Sequence, residues 1–195
     1  MTETSFVPHD MKTLITYLGG PAPFTSRLDY LHDTQIATIG NEPSFLTVFQ
    51  YHYAGRPALS ALRARSYIPG SFAPTPAGLP GNDDSGAMGS FVAMAMMGLF
   101  PNPGQDVYLI TAPFFEVVRV VSPVTGKVAT VRAEGFEAGN EKKVFVKEAM
   151  LDGKPYRRSW ISHRFFSEGG ELVLVLGDEE GDWGTGEEDL PPSLG

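Results

Sequence analysis

The chain contains no cysteine. Disulfide and thiol chemistry are therefore excluded, and the redox compartment is left open. Long apolar runs are missing too, since none approaches the roughly 20 residues that span a bilayer. Basic residues are in the minority, with 15 Lys and Arg against 23 Asp and Glu. That balance gives no basic face for nucleic acid, and neither nucleic acid nor a membrane is expected as a partner. Met1 to Asp10 lack the basic, apolar, cleavable pattern of a secretory leader, so no route to secretion and no localisation is readable there. No internal repeat stands out, although paired helices can form a toroid without one.

What is present suits a globular domain. A chain of 195 residues with 42% hydrophobic content can bury a real core. The negative charge is concentrated. Residues 178–195 hold Asp178, Glu179, Glu180, Asp182, Glu187, Glu188 and Asp189 and no Lys or Arg, so most of the net −8 lies there. This tail reads as a solvated, partly disordered end.

Residues 1–103 read as helices. Met11, Leu14, Ile15 and Leu18 recur at helical spacing behind a capping Asp10, and Gly19-Gly20-Pro21 stops the run. Phe24, Leu28 and Leu31 mark a second stripe. Pro43 fits the first turn of a third helix that Gly55 would close, and Pro57 the first turn of a fourth that ends before Pro69. A Pro- and Gly-rich loop then covers residues 69–81, long enough to suggest function. Residues 87–97 are apolar nearly all round and read as a helix buried on most sides, with Met94, Met96 and Met97 as core filling. Residues 104–177 change character. Val107 to Ile110, Val117 to Val121, Val128 to Arg132, Val144 to Val146 and Leu172 to Leu176 are β-branched runs between turn signals. They predict a small antiparallel sheet, so the fold class is α+β.

Two acidic loops, each feeding a helix, are the candidates for chemistry. One is Gly78-Leu79-Pro80-Gly81-Asn82-Asp83-Asp84-Ser85-Gly86-Ala87-Met88, with adjacent carboxylates between glycines. The other is Gly40-Asn41-Glu42-Pro43-Ser44. Fixed carboxylates suit a hard cation or an activated water. The alternative is local: Asn41 or Glu42 could simply cap the helix begun by Pro43, and the Asp83-Asp84 pair could be an acidic N-cap of the helix after it. His9, next to a Pro and a capping Asp, could face substrate or pack. His32, His52 and His163 have no metal-ligand spacing. Ser85 has no base nearby in sequence and reads as a capping serine. Trp160 and Trp183 read as buried in the sheet.

These segments, together with Tyr53-Ala54-Gly55-Arg56-Pro57, resemble glycoside hydrolase family 92, the calcium-dependent α-mannosidases. Further matches follow in chain order: Phe6-Val7-Pro8-His9-Asp10, Gly98-Leu99-Phe100-Pro101, Leu151-Asp152-Gly153-Lys154-Pro155-Tyr156 and Trp160-Ile161-Ser162-His163. The ordered set covers residues 6–185 and is more specific than any single motif. The resemblance implies the later helices of an (α/α)6 barrel followed by terminal strands, without the N-terminal sandwich and early barrel. Helix faces without partners in the chain, and self-association through them, are then expected. It implies hydrolysis of terminal α-mannosides with inversion, with Asp84 as the base and Asp83 beside it, orienting the loop or helping to hold the metal. Calcium would be held by Asn41, Glu42 and Asp83, and the glycan met by His9 and Glu42. His52 stands where the family commonly has Asn. The family's general acid belongs in a Trp-Glu-Tyr or Trp-Gln-Tyr segment just before Phe6. Here the chain reads Met1-Thr2-Glu3-Thr4-Ser5, and Glu3 fits only if one residue is skipped. Weak or no activity of the chain alone is therefore expected. The rival reading is a non-catalytic calcium- or mannose-binding remnant, or an interaction protein that associates with a partner through exposed apolar faces.

Overall fold

The computed structural model describes residues 6–140 and 142–194. The helical part opens as its pattern predicts. Helix α1 is Met11–Tyr17, and the Asp10 side chain accepts the Thr13 N–H at 3.2 Å. Helix α2 is Pro21–Asp33 and buries Phe24, Leu28 and Leu31. The third run divides. Helix α3 is Pro43–Thr47, and a 3-10 helix, Gln50–Ala54, follows before Gly55 closes it. Helix α4, Pro57–Ser71, runs through Pro69 instead of ending before it. A proline lacks one N–H and crowds the preceding turn, but the last turn of a helix has little left to lose. Phe72 N–H still bonds Ile68 O at 3.3 Å.

Helix α5 is Ala87–Met97. It is not buried on most sides. Met88, Phe91 and Ala95 are inside, whereas Gly89, Ser90 and Ala93 are exposed. Phe91 anchors the helical core, stacked on Phe45 with ring centroids 4.6 Å apart. Phe49 and Phe100 stack at 4.1 Å beside them. Such pairs add to area burial about 0.5–1.5 kcal/mol each.

The strand-rich part holds two sheets, not one. Strands β1 (Leu99–Pro101), β2 (Tyr108–Ile110) and β7 (Trp160–Ile161) form the first, in the order β1-β2-β7. Strands β3 (Val117–Val121), β4 (Val128–Glu134), β5 (Phe145–Leu151), β6 (Lys154–Pro155) and β8 (Gly170–Gly177) form the second, in the order β3-β4-β8-β5-β6. All pairings are antiparallel except β4 with β8. A parallel neighbour needs a crossover. The chain supplies it through β5, β6, β7 and the short helix α6 (Arg164–Glu168). Ala129, Val131, Leu172, Leu174 and Trp183 pack in this second core. Trp160 is only half-buried, on the three-stranded sheet.

The acidic tail differs from the expectation of a disordered end. Trp183 is 3% exposed and its indole N–H bonds Tyr156 O at 2.8 Å. Asp189 is buried with Arg157 Nε 3.5 Å away. Leu194 N–H reaches His9 O at 3.1 Å. The reason is that a few anchoring groups, Trp183 above all, outweigh a charge count in which most carboxylates stay in water. No helix among the described residues is long and apolar enough to cross a membrane.

Candidate functional site

The two acidic loops meet, and glycine is the reason. The first leads from α2 into α3, and the second leads from α4 into α5. A Cβ on Gly81 would stand 2.2 Å from Gly40 O, and one on Gly40 would stand 2.7 Å from Pro80 O. Neither clash could be relieved by a flexible side chain, since both partners are backbone. Only glycine lets these main chains touch. Residues Asn41-Glu42 and Asn82-Asp83-Asp84 thereby start from a shared backbone contact.

The capping alternative resolves differently in the two loops. Helix α3 has no side-chain cap: its first N–H groups reach main-chain carbonyls, Ser44 N–H to Asn41 O and Phe45 N–H to Glu42 O, each at 3.0 Å. Asn41 is exposed. Glu42 is half-buried, and its Oε1 is sealed from solvent without a hydrogen-bond partner among the described residues. A buried carboxylate oxygen left unpaired costs more than about 1–3 kcal/mol, so such an atom calls for a counter-charge or donor. Asp83, by contrast, does serve a helix. Its Oδ1 accepts the Met88 N–H at 2.9 Å and the Gly89 N–H at 3.2 Å. Asp84 is exposed at the start of a 3-10 turn, Asp84–Gly86; its carbonyl accepts the Ala87 N–H, and its side chain makes no hydrogen bond among the described residues. Ser85, beside it, sits in the left-handed region at φ 55°. For a non-glycine residue that backbone costs about 1–3 kcal/mol, and such strain gathers at functional turns.

A cleft of about 550 Å³ adjoins the junction, lined among others by His32, Thr38, Gly40, Tyr67, Ser71 and Pro80. His32 forms its inner wall. Its Nδ1 lies 2.8 Å from Tyr67 Oη and its Nε2 3.3 Å from Thr47 O. Burial lowers its pKa to about 4, so the ring is neutral, donating from Nε2 and accepting at Nδ1. Arg63 fastens the same region by ion pairs to Asp29 and Asp33 on α2. A larger cleft, about 640 Å³ and lined by Arg65, Phe114, Phe136 and Lys143, holds none of the expected site residues.

The remaining candidates stand apart. His9 is exposed, and no hydrogen bond or ion pair among the described residues joins it to either acidic loop. Its turn is tied instead to the β1–β2 connection, where Asn102 Nδ2 and Gln105 Nε2 donate to Pro8 O at 2.9 and 2.7 Å. Glu3 lies outside the described residues. His52 is fully buried, with Nε2 2.8 Å from Ile110 O and Nδ1 3.0 Å from Ser60 Oγ. It has become a structural tie between the helices and β2. His163 is exposed, 2.9 Å from Tyr108 Oη. Sequence reading missed the Gly40–Gly81 contact and the His32–Tyr67 pair. No spacing rule links residues so far apart in the chain.

The donors at the junction test the case for calcium. Carboxylate and carboxamide oxygens are the right chemistry for a hard cation. The unpaired Glu42 Oε1 fits such a group. Among the described residues no three His, Cys, Asp or Glu side chains cluster closely enough to hold a metal by themselves. Any shell here would need main-chain, water or ligand oxygens as well.

Comparison with known proteins places these features. Residues 1–178 match the glycosyl hydrolase family 92 catalytic domain. An "uncharacterized secreted glycosidase" of Arthroderma benhamiae is 64% identical over 190 residues, covering 97% of this chain and 24% of that protein. A family 92 α-mannosidase of Bacteroides thetaiotaomicron, solved with mannoimidazole, is similar with a TM-score of 0.89 and 26% identity, over 99% of this chain and 27% of that one. A family 92 inverting mannosidase of the same organism matches with a TM-score of 0.83 and 25% identity, over 97% and 29%. The chain thus spans about a quarter of the length of these relatives. It belongs to glycoside hydrolase family 92 and forms part of that family's catalytic domain.

Proposed function

We propose that this chain carries the water-activating base and part of the calcium shell of a secreted α-mannosidase that hydrolyses terminal α-mannosides with inversion. The observation that carries the reading is the unpaired, buried Glu42 Oε1 on a loop locked by backbone contact to the loop of Asp84. The Asp84 side chain is exposed and makes no hydrogen bond among the described residues, so its carboxylate can take the proton of a water attacking the anomeric carbon. An inverting enzyme leaves room for that water by holding base and acid about 6.5–9.5 Å apart. Glu42 and Asn41 are the side-chain donors for calcium. Bound there, calcium would supply Lewis-acid stabilisation and a template for sugar hydroxyls. The hydroxyl-bearing cleft lined by Thr38, Tyr67 and Ser71 suits a polyhydroxy ligand. The glycan is the partner in this reading, and the half-exposed face of α5 is where the remainder of the catalytic domain would pack.

The acid that protonates the leaving oxygen must come from outside the described residues. Activity therefore requires the rest of the domain, and the chain alone should turn over little. The test is mannose release from α-1,2-mannobiose by the chain joined to the remaining catalytic segment of the fungal relative. Release should depend on calcium and exceed that of the 195-residue chain by at least about 10²-fold, the low end of what general acid catalysis contributes. Equal release by the chain alone, or release indifferent to chelator, contradicts the reading.

A further inference from the structure

We propose that Asp83 is a positioning residue that neither ligates calcium nor transfers a proton, and that with the Gly40–Gly81 contact and Met88 it forms one mount setting where Glu42 and Asp84 stand. The inference rests on the site reading above and assigns a different task to the first of its two aspartates. Asp83 holds its turn at both ends. Its carbonyl accepts the Gly86 N–H at 3.0 Å. Its side-chain Oδ1 accepts the N–H groups of Met88 and Gly89 at 2.9 and 3.2 Å. Between these ties lie Asp84, Ser85 at φ 55° and Gly86 at φ 78°. Two successive left-handed residues make a tight bend, and the first is unfavourable for a serine. Three bonds to one residue over-determine that bend and present Asp84 at its apex.

Met88 closes the mount from below. It is fully buried, and its Cε would lie 2.8 Å from a Cβ on Gly81. The residue whose N–H bonds Asp83 therefore also packs its side chain under the Gly40–Gly81 contact. Three parts then share one rigid body: the Asp84 turn, the start of α5 and the loop that carries Glu42. A site on a rigid mount holds geometry that a free loop cannot. Oδ1 of Asp83 is engaged by two main-chain donors, which is the environment of a cap and a poor one for a metal ligand.

The discriminating experiment compares Asp83→Asn with Asp83→Ala. Asn keeps a side-chain oxygen for the Met88 and Gly89 N–H groups and removes the charge. Calcium chloride is titrated calorimetrically into the whole chain, and amide exchange is followed at Met88 and Gly89. Asp83→Asn should bind calcium within about threefold of the native protein and keep both amides protected. Asp83→Ala should bind at least about tenfold more weakly, with both amides exchanging fast, as expected when an over-determined turn loses its tie. Gly81→Ala, with helix content checked by circular dichroism, should weaken calcium while Asp83, Asp84 and Glu42 are all present. Loss of binding in Asp83→Asn equal to that in Asp83→Ala overturns the proposal, because the charge would then be a ligand. Native affinity in Asp83→Ala overturns it as well. If Asp83→Ala does not fold, Asp83→Asn and Gly81→Ala decide. A native chain that binds no calcium removes the site itself and the mount with it, an outcome distinct from both.

Discussion

Replacing Asp84 by Asn in the joined enzyme should lower kcat for α-1,2-mannobiose by about 10²–10⁴-fold, the usual contribution of a positioned proton acceptor. The substitution keeps shape and removes the group that takes the proton from water. KM should change little, because Asp84 acts on water in the transition state and not on uniform substrate binding. The melting temperature should hardly move, since the Asp84 side chain is exposed and makes no hydrogen bond among the described residues. Near-normal kcat in this variant would remove Asp84 from the role of base. A large fall in stability would mean that the turn, and not the chemistry, had been damaged.

A second large effect is expected in acid. His32 and His52 both have pKa values lowered to about 4, each chiefly by burial. In the unfolded chain they titrate near 6.5. Between those values the unfolded state binds protons that the folded state refuses, so stability rises with pH in that window. Their stabilising contribution is complete above pH 6.5 and is lost as pH falls toward 4. Each shift corresponds to roughly 3 kcal/mol at its limit, against a total stability of about 5–15 kcal/mol. Urea unfolding at pH 7 and at pH 5 should therefore differ by a few kcal/mol. His52→Asn should lower stability at pH 7 and flatten the dependence. A native chain equally stable at pH 5 and 7 would mean that these rings are not held neutral in the fold.

How much of this was legible in the sequence depends on range. Local signals did well. Asp10 caps α1 as its position predicts, Phe24, Leu28 and Leu31 face one core, and the β-branched runs all became strands. Features set by tertiary contact did not show. Pro69 stays helical because it falls in a last turn, and Trp183 fastens a tail whose composition reads as solvated. The site was half legible. Composition marked the two acidic loops, but capping and ligation use the same residue types. Which applies is decided by where the helix N–H groups point. At α5 they reach the Asp83 side chain, whereas at α3 they reach main-chain carbonyls and leave Glu42 Oε1 without a partner among the described residues. The Gly40–Gly81 contact that turns two loops into one place has no local signature.

The central claim is that these loops form an oxygen site for calcium around Glu42. The direct measurement is thermal melting of the chain in calcium and in chelator, for the native protein and Glu42→Gln. A ligand at about 100 times its Kd stabilises by roughly 2.7 kcal/mol, and a domain of this size gains about 2–4 °C per kcal/mol. The native chain should melt at least ~5 °C higher in saturating calcium. Glu42→Gln should lose most of that shift and, with its unpaired buried charge gone, melt no lower than the native chain in chelator. A folded native chain with no calcium shift, or a Glu42→Gln variant with the full shift, would contradict the account.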